Sequence, residues 1–164
     1  MRGAVFAVAL LTTLSTSEVR VDAQGMARQI GKEASVKDQP FVGEWIANVA
    51  KSKPSPDYAF QTATLRIDQA GDSMTMASQL VFASGQEQRA SETFRTDGTE
   101  TQGTLTSGVT LVAKWLDPHV LASLAKKDGE VIAVVTYEVS ADGKTLTSRS
   151  SGMVEQTIVF DRSR

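Results

Sequence analysis

The side chains able to carry chemistry in this sequence are few and dispersed. His119 is the one histidine among 164 residues, and Asp117 stands just ahead of it, a combination that could work as an acid-base pair. Asp117-Pro118-His119 also reads as turn chemistry, in which proline sets φ and the aspartate accepts backbone hydrogen bonds. A catalytic triad would need a serine aimed at His119, and no G-x-S-x-G elbow marks one. A lone histidine with scattered carboxylates lacks the ligand spacing of zinc or iron, so no metal is implied. The glycines fall one per turn rather than in a phosphate-cradling loop, and no cofactor is implied.

Glu92 is the most informative charge. It shares one face of an alternating run with Ala90 and Phe94, and if that face is interior its carboxylate must be paired, hydrogen-bonded or ligand-facing. A shift of one residue in register would place it in solvent instead. Both readings are open at this point. Met74, Met76, Phe82 and Phe94 would supply adaptable apolar surface to a pocket in the same interior. Tyr137 and Gln156, with Ser78, Ser148 and Ser150, would supply groups that orient a ligand. The alternative is a filled core, with small residues where the structure tapers.

Those residues need a scaffold, and turn signals define it. Gly71-Asp72, Ser84-Gly85, Asp97-Gly98, Asp117-Pro118, Asp128-Gly129 and Asp142-Gly143 separate short runs of alternating polarity, the spacing of an antiparallel meander. Ala63, Leu65 and Ile67 oppose Thr64, Arg66 and Asp68, so one face is buried and one is wet. Further strands are expected over 43–48, 74–82, 88–95, 109–115, 120–126, 131–139, 146–152 and 154–160, about nine in all. The 131–139 run is apolar on both faces and is expected to be covered on both sides for part of its length. Residues 50–58 carry two prolines, Pro54 and Pro56, and read as a stiff loop. A meander without helical crossovers avoids exposed edges by closing into a barrel or splitting into a sandwich, and sequential hairpins favour the up-and-down barrel.

The N-terminus has its own signature. Met1-Arg2 precedes an uncharged stretch from Gly3 to Ser17 and then Val21-Asp22-Ala23, the pattern of a secretory signal peptide cleaved after Ala23. Cleavage nearer 15–17 is the alternative, because Glu18, Arg20 and Asp22 follow. The apolar stretch is too short for a permanent membrane span. Residues 24–40 form a flexible leader and 41–164 the barrel domain. No cysteine is present, which excludes disulfides and thiolate sites. The net charge of −2 lacks the basic footprint that nucleic-acid binding requires.

Gly43-Glu44-Trp45, placed on the first strand of such a meander, resembles the start of a calycin barrel, the group that contains lipocalins and fatty-acid-binding proteins. Asn48-Val49-Ala50-Lys51-Ser52-Lys53, Lys127-Asp128-Gly129, 140–147 and the terminal Val159-Phe160-Asp161-Arg162 resemble small exported bacterial lipocalin-like proteins of uncharacterised function. The resemblance spans roughly residues 41 to 162. It implies an all-β, antiparallel up-and-down barrel of about eight to ten strands behind an N-terminal signal helix, located in the periplasm or secreted. It also implies that Trp45 plugs one end under Arg162, while supplying no catalytic residues to carry over. The helix pair that caps fatty-acid-binding proteins has no counterpart in the Pro-rich loop.

The expected function is non-enzymatic binding of a small, largely apolar ligand in the barrel interior, through Met74, Met76, Phe82, Glu92, Phe94, Tyr137 and Gln156. The alternative is an envelope interaction or structural protein with a filled barrel and a protein partner that the sequence does not identify. A small enzyme using Glu92 or His119 is the third and least supported reading.

Overall fold

The computed structural model describes residues 39–163. The expected signal peptide, and the leader up to residue 38, lie outside the described residues. Ten strands follow one another: β1 Gly43–Ala47, β2 Phe60–Ala70, β3 Ser73–Phe82, β4 Glu87–Arg95, β5 Asp97–Gln102, β6 Val109–Asp117, β7 Val120–Lys127, β8 Glu130–Val139, β9 Thr145–Gly152 and β10 Gln156–Arg162. They form one antiparallel sheet in the order β4-β3-β2-β1-β10-β9-β8-β7-β6-β5, with first and last strands joined through Trp45 opposite Arg162. The two ends of that order, β4 and β5, are consecutive in the chain, so the sheet curls into a nearly closed barrel. No ladder joins them among the described residues, and a seam runs between them.

Alternation selects what faces inward. Phe60, Ala63, Leu65 and Ile67 of β2 are buried, while Thr64, Arg66 and Asp68 stand in solvent. Val109, Leu111, Ala113 and Trp115 do the same on β6. Burying one large aliphatic side chain contributes about 1.5–3 kcal/mol, and one continuous cluster collects such residues from nearly every strand. β8 departs from alternation, as its sequence led us to expect: Ala133, Val134 and Val135 are all buried.

The strand expected to end at Arg95 is followed by one that the turn reading of Asp97-Gly98 did not contain. β5, with the sequence DGTETQ, has no large apolar residue, and Gly98 (φ +90°) sits where its register to β6 shifts. Its inward positions meet the seam rather than the core, so no hydrophobic period marks it. Asp128 (φ +52°) and Gly129 (φ +83°) make the tight turn from β7 to β8, with both residues at positive φ as a two-residue hairpin requires.

The Pro-rich segment holds two single 3-10 turns, Val49–Lys51 and Pro56–Tyr58. It is fastened to β10: the Asn48 side chain donates to Asp161 (2.7 Å), and Lys53 and Thr157 exchange backbone hydrogen bonds of 2.7 and 2.9 Å. Ser52 reinforces this, with its Oγ accepting from the Val159 amide at 3.0 Å.

Candidate functional site: a barrel interior closed at one end

Arg162 closes one end. Its guanidinium lies over the Trp45 ring at 4.0 Å from the centroid, and its three nitrogens donate to the carbonyls of Gly143 (Nε, 2.6 Å), Val42 (Nη1, 2.8 Å) and Pro40 (Nη2). Burial holds the guanidinium pKa below its usual value. Trp45 donates from Nε1 to the Phe41 carbonyl at 2.9 Å, and the Phe41 ring meets Trp115 edge-on with centroids 4.9 Å apart. Arg162 and Phe41 thus meet the Trp45 indole while Trp115 packs on Phe41, and together they seal this end. Phe41 and Trp115 were not singled out in the sequence. Trp115 shares the sequence phase of Val109, Leu111 and Ala113, which places it on the inward face, but nothing in that phase pairs it with Phe41.

Above this plug the inner wall is built from adaptable and small side chains. Met74, Met76, Phe94 and Tyr137 are all buried, on β3, β4 and β8. Ser78 faces Ala90 in register, and Ala113, Ser123, Val135 and Ser150 follow one another across β6 to β9. Burial pushes the Tyr137 phenol well above the ordinary tyrosine range. Toward the opposite end the inner positions become partly accessible: Phe82, Ser78, Ala90, Ser150 and Gln156 are half-buried. The residues put forward from the sequence therefore divide by depth, with Phe82 and Gln156 at the mouth and the other five deeper.

Glu92 faces inward and is 1% exposed, which resolves the register left open by the sequence. Its carboxylate lies at the seam. Oε1 accepts from the Thr104 amide (3.0 Å) and hydroxyl (2.9 Å), and Oε2 accepts from the Leu105 amide (3.2 Å). The group bridges β4 to the 103–108 loop, where the missing ladder leaves amides to satisfy. Two further polar atoms nearby are buried without a hydrogen-bond partner: Gln88 Oε1, on the inner face of β4 toward the mouth, and Thr106 Oγ1, on the same loop. Gln88, Thr104 and Thr106 had not been picked out. Gln88 shares the phase of Ala90 and Glu92, whereas the loop residues carry no signal in sequence.

His119 is at the surface in a turn. Its amide donates to Asp117 Oδ1 at 3.0 Å, the capping role expected of Asp-Pro-His, and the Nδ1 to Asp117 Oδ1 separation is 3.9 Å. Among the described residues no three histidine or acidic side chains converge in a way that could hold a metal ion. A cavity of about 610 Å³ lies along β1 to β4, walled mostly by outward residues such as Glu44, Thr64, Arg66 and Arg89 and bordered also by Trp45, Leu65, Ser78 and Ala90.

Together the ten-strand order, the aromatic plug under an arginine and the inward-lined interior define a nearly closed, antiparallel ten-strand β-barrel sealed at one end. No protein-family model and no curated protein matches the sequence. Among solved structures, the chain is similar to a Schistosoma mansoni fatty acid binding protein in complex with arachidonic acid (19% identity, TM-score 0.56, covering 80% of this chain and 100% of that one). It is similar as well to the wild-type fluorescent protein UnaG (22% identity, TM-score 0.56, 75% and 97% covered). Echinococcus granulosus fatty-acid-binding protein 1 gives 13% identity and a TM-score of 0.55, with 77% and 100% covered. Likeness at these identities is likeness of fold.

Proposed function

We propose that this protein binds a small, largely apolar molecule inside its barrel and acts as an exported carrier, periplasmic or secreted, rather than as a catalyst. The observation that carries the reading is the composition of the inner wall. A barrel of about eight strands is just wide enough to be filled by its own side chains, and a wider one needs bulk to fill it. Here a ten-strand barrel presents Ser78, Ala90, Ala113, Ser123 and Ala133 inward, beside flexible Met74 and Met76 that can yield to a guest. The graded exposure from Tyr137 out to Gln156 supports uptake from the end opposite Trp45. Fatty-acid-binding proteins among the similar structures support the apolar class of ligand. The Met1 to Ala23 signature supports export.

A second reading is a packed barrel that works through its outer surface. It is favoured by the near-complete burial of Ile67, Leu111 and Leu146 and by the cavity along β1 to β4. One experiment separates the two. In native mass spectrometry, protein purified from its own host is expected to carry a bound small molecule, and the stripped protein to enhance the fluorescence of lipophilic dyes. An empty protein that leaves every dye dark would support the packed barrel.

A further inference from the structure

We propose that the interior selects an uncharged or cationic apolar ligand bearing a hydrogen-bond donor, and discriminates against fatty-acid anions, because its one fully buried charge is a carboxylate and the unpartnered side-chain amide oxygen on the same face is an acceptor. The inference rests on the interior-binding reading and specifies the chemistry of the guest.

Three observations carry it. The buried polar side chains among the described residues are Glu92, Thr96, Ser123 and Ser148, so the one charge is a carboxylate. Its hydrogen bonds come from the neutral groups of Thr104 and Leu105, and among the described residues no salt bridge reaches it. A second carboxylate brought into the same low-dielectric space would meet like-charge repulsion that water screens poorly.

The guanidinium at the closed end cannot compensate. Arg162 spends Nε, Nη1 and Nη2 on three backbone carbonyls and lays its flat face on Trp45, so a ligand carboxylate would have to displace the contacts that close the barrel. Lys126 is paired with Glu100 at 3.1 Å on the outside. Lys127 stands at the rim, where β7 turns into Asp128-Gly129, in register with Val109. It lies at the mouth, at the same end as Gln88 and beyond the deep wall of Met74, Met76 and Phe94.

The unpartnered amide oxygen points the same way. Gln88 Oε1 is a buried acceptor with no donor, on the same face of β4 as Glu92. A buried carbonyl left unmade is costly, and a hydroxyl, amide or ammonium donor on the guest would satisfy it. Thr106 Oγ1, a hydroxyl able to donate or accept, is unfilled on the loop that Glu92 holds and favours neither sign of guest. A guest with its donor toward Gln88 and its chain against Met74, Met76 and Phe94 would use each of these features.

The test compares three probes of equal chain length, dodecanol, dodecylammonium and dodecanoate, by displacement of Nile red from the full protein at neutral pH. Dodecanol and dodecylammonium are expected to displace the dye at concentrations at least about tenfold below dodecanoate. Glu92→Gln is expected to shrink the gap between dodecanol and dodecanoate to less than about threefold, with an unchanged circular dichroism spectrum. Gln88→Leu is expected to weaken dodecanol about threefold or more and to leave dodecanoate as it was, which keeps a test available if the Glu92 variant fails to fold. Dodecanoate binding as tightly as dodecanol to the unmodified protein would overturn the inference and leave interior binding standing. Displacement by none of the three would overturn both.

Discussion

Trp45→Ala is expected to cost about 3–5 kcal/mol of stability, the range for deleting a large aromatic side chain from a packed site. The magnitude follows from what meets at the indole. Trp45 is fully buried, its Nε1 is bonded to the Phe41 carbonyl, and the Arg162 guanidinium covers its face. Arg162→Ala is expected to cost about 2–3 kcal/mol, because the carbonyls of Pro40, Val42 and Gly143 lose charge-assisted donors together. In the double variant the two losses should fall short of additive by about 1 kcal/mol, the coupling expected of a cation stacked on an aromatic face. Urea titrations of the four proteins measure all three quantities. Strict additivity would mean that the ring and the guanidinium stabilise the closed end independently.

Gly152→Ala is the second large effect, expected to lower stability by about 2–4 kcal/mol. Gly152 ends β9 opposite Ala133 with φ at +104°, and a Cβ there would lie 2.6 Å from the Ile132 carbonyl oxygen and 3.1 Å from the Ala133 Cα. Both neighbours are backbone, so no side chain can swing aside. Gly71, at φ +58° in an open turn with nothing near its Cβ position, supplies the contrast. Its alanine variant should lose only about 1 kcal/mol, from the left-handed backbone alone. Equal midpoints for the two variants in chemical denaturation would show that the close approach of β8 and β9 is not what constrains Gly152.

Much of this architecture is legible in the chain because the barrel's own physics writes it there. Strands half-buried in a closed sheet must alternate, and tight hairpins need residues tolerant of positive φ, so Asp128-Gly129 and Asp142-Gly143 mark turns whatever the barrel encloses. β5 escaped because those constraints are relaxed at a seam. A short strand with one ladder and no core face needs no apolar residue, and Asp97-Gly98-Thr99-Glu100 reads as turn and solvent. Glu92 shows a different limit. Alternation places it with Ala90 and Phe94 but cannot say which face is inward, and what settles the matter is the 103–108 loop, whose amides come to its carboxylate across a gap. The stacking of Arg162 on Trp45 and the meeting of Phe41 with Trp115 likewise join segments far apart in the chain, and they form only in the closed sheet. Periodicity along one segment carries no information about such closure.

A guest seated inside the barrel would be reported directly by the methionines. Met74 and Met76 line the interior, while Met153 is 40% exposed on the turn between β9 and β10. Labelling the methionine methyl groups and titrating the protein with dodecanol, followed by NMR, reads both locations at once. With the guest inside, the Met74 and Met76 signals are expected to shift in proportion to occupancy while Met153 stays in place. A saturable shift at Met153 with Met74 and Met76 unmoved would contradict interior binding, placing the binding surface outside the barrel.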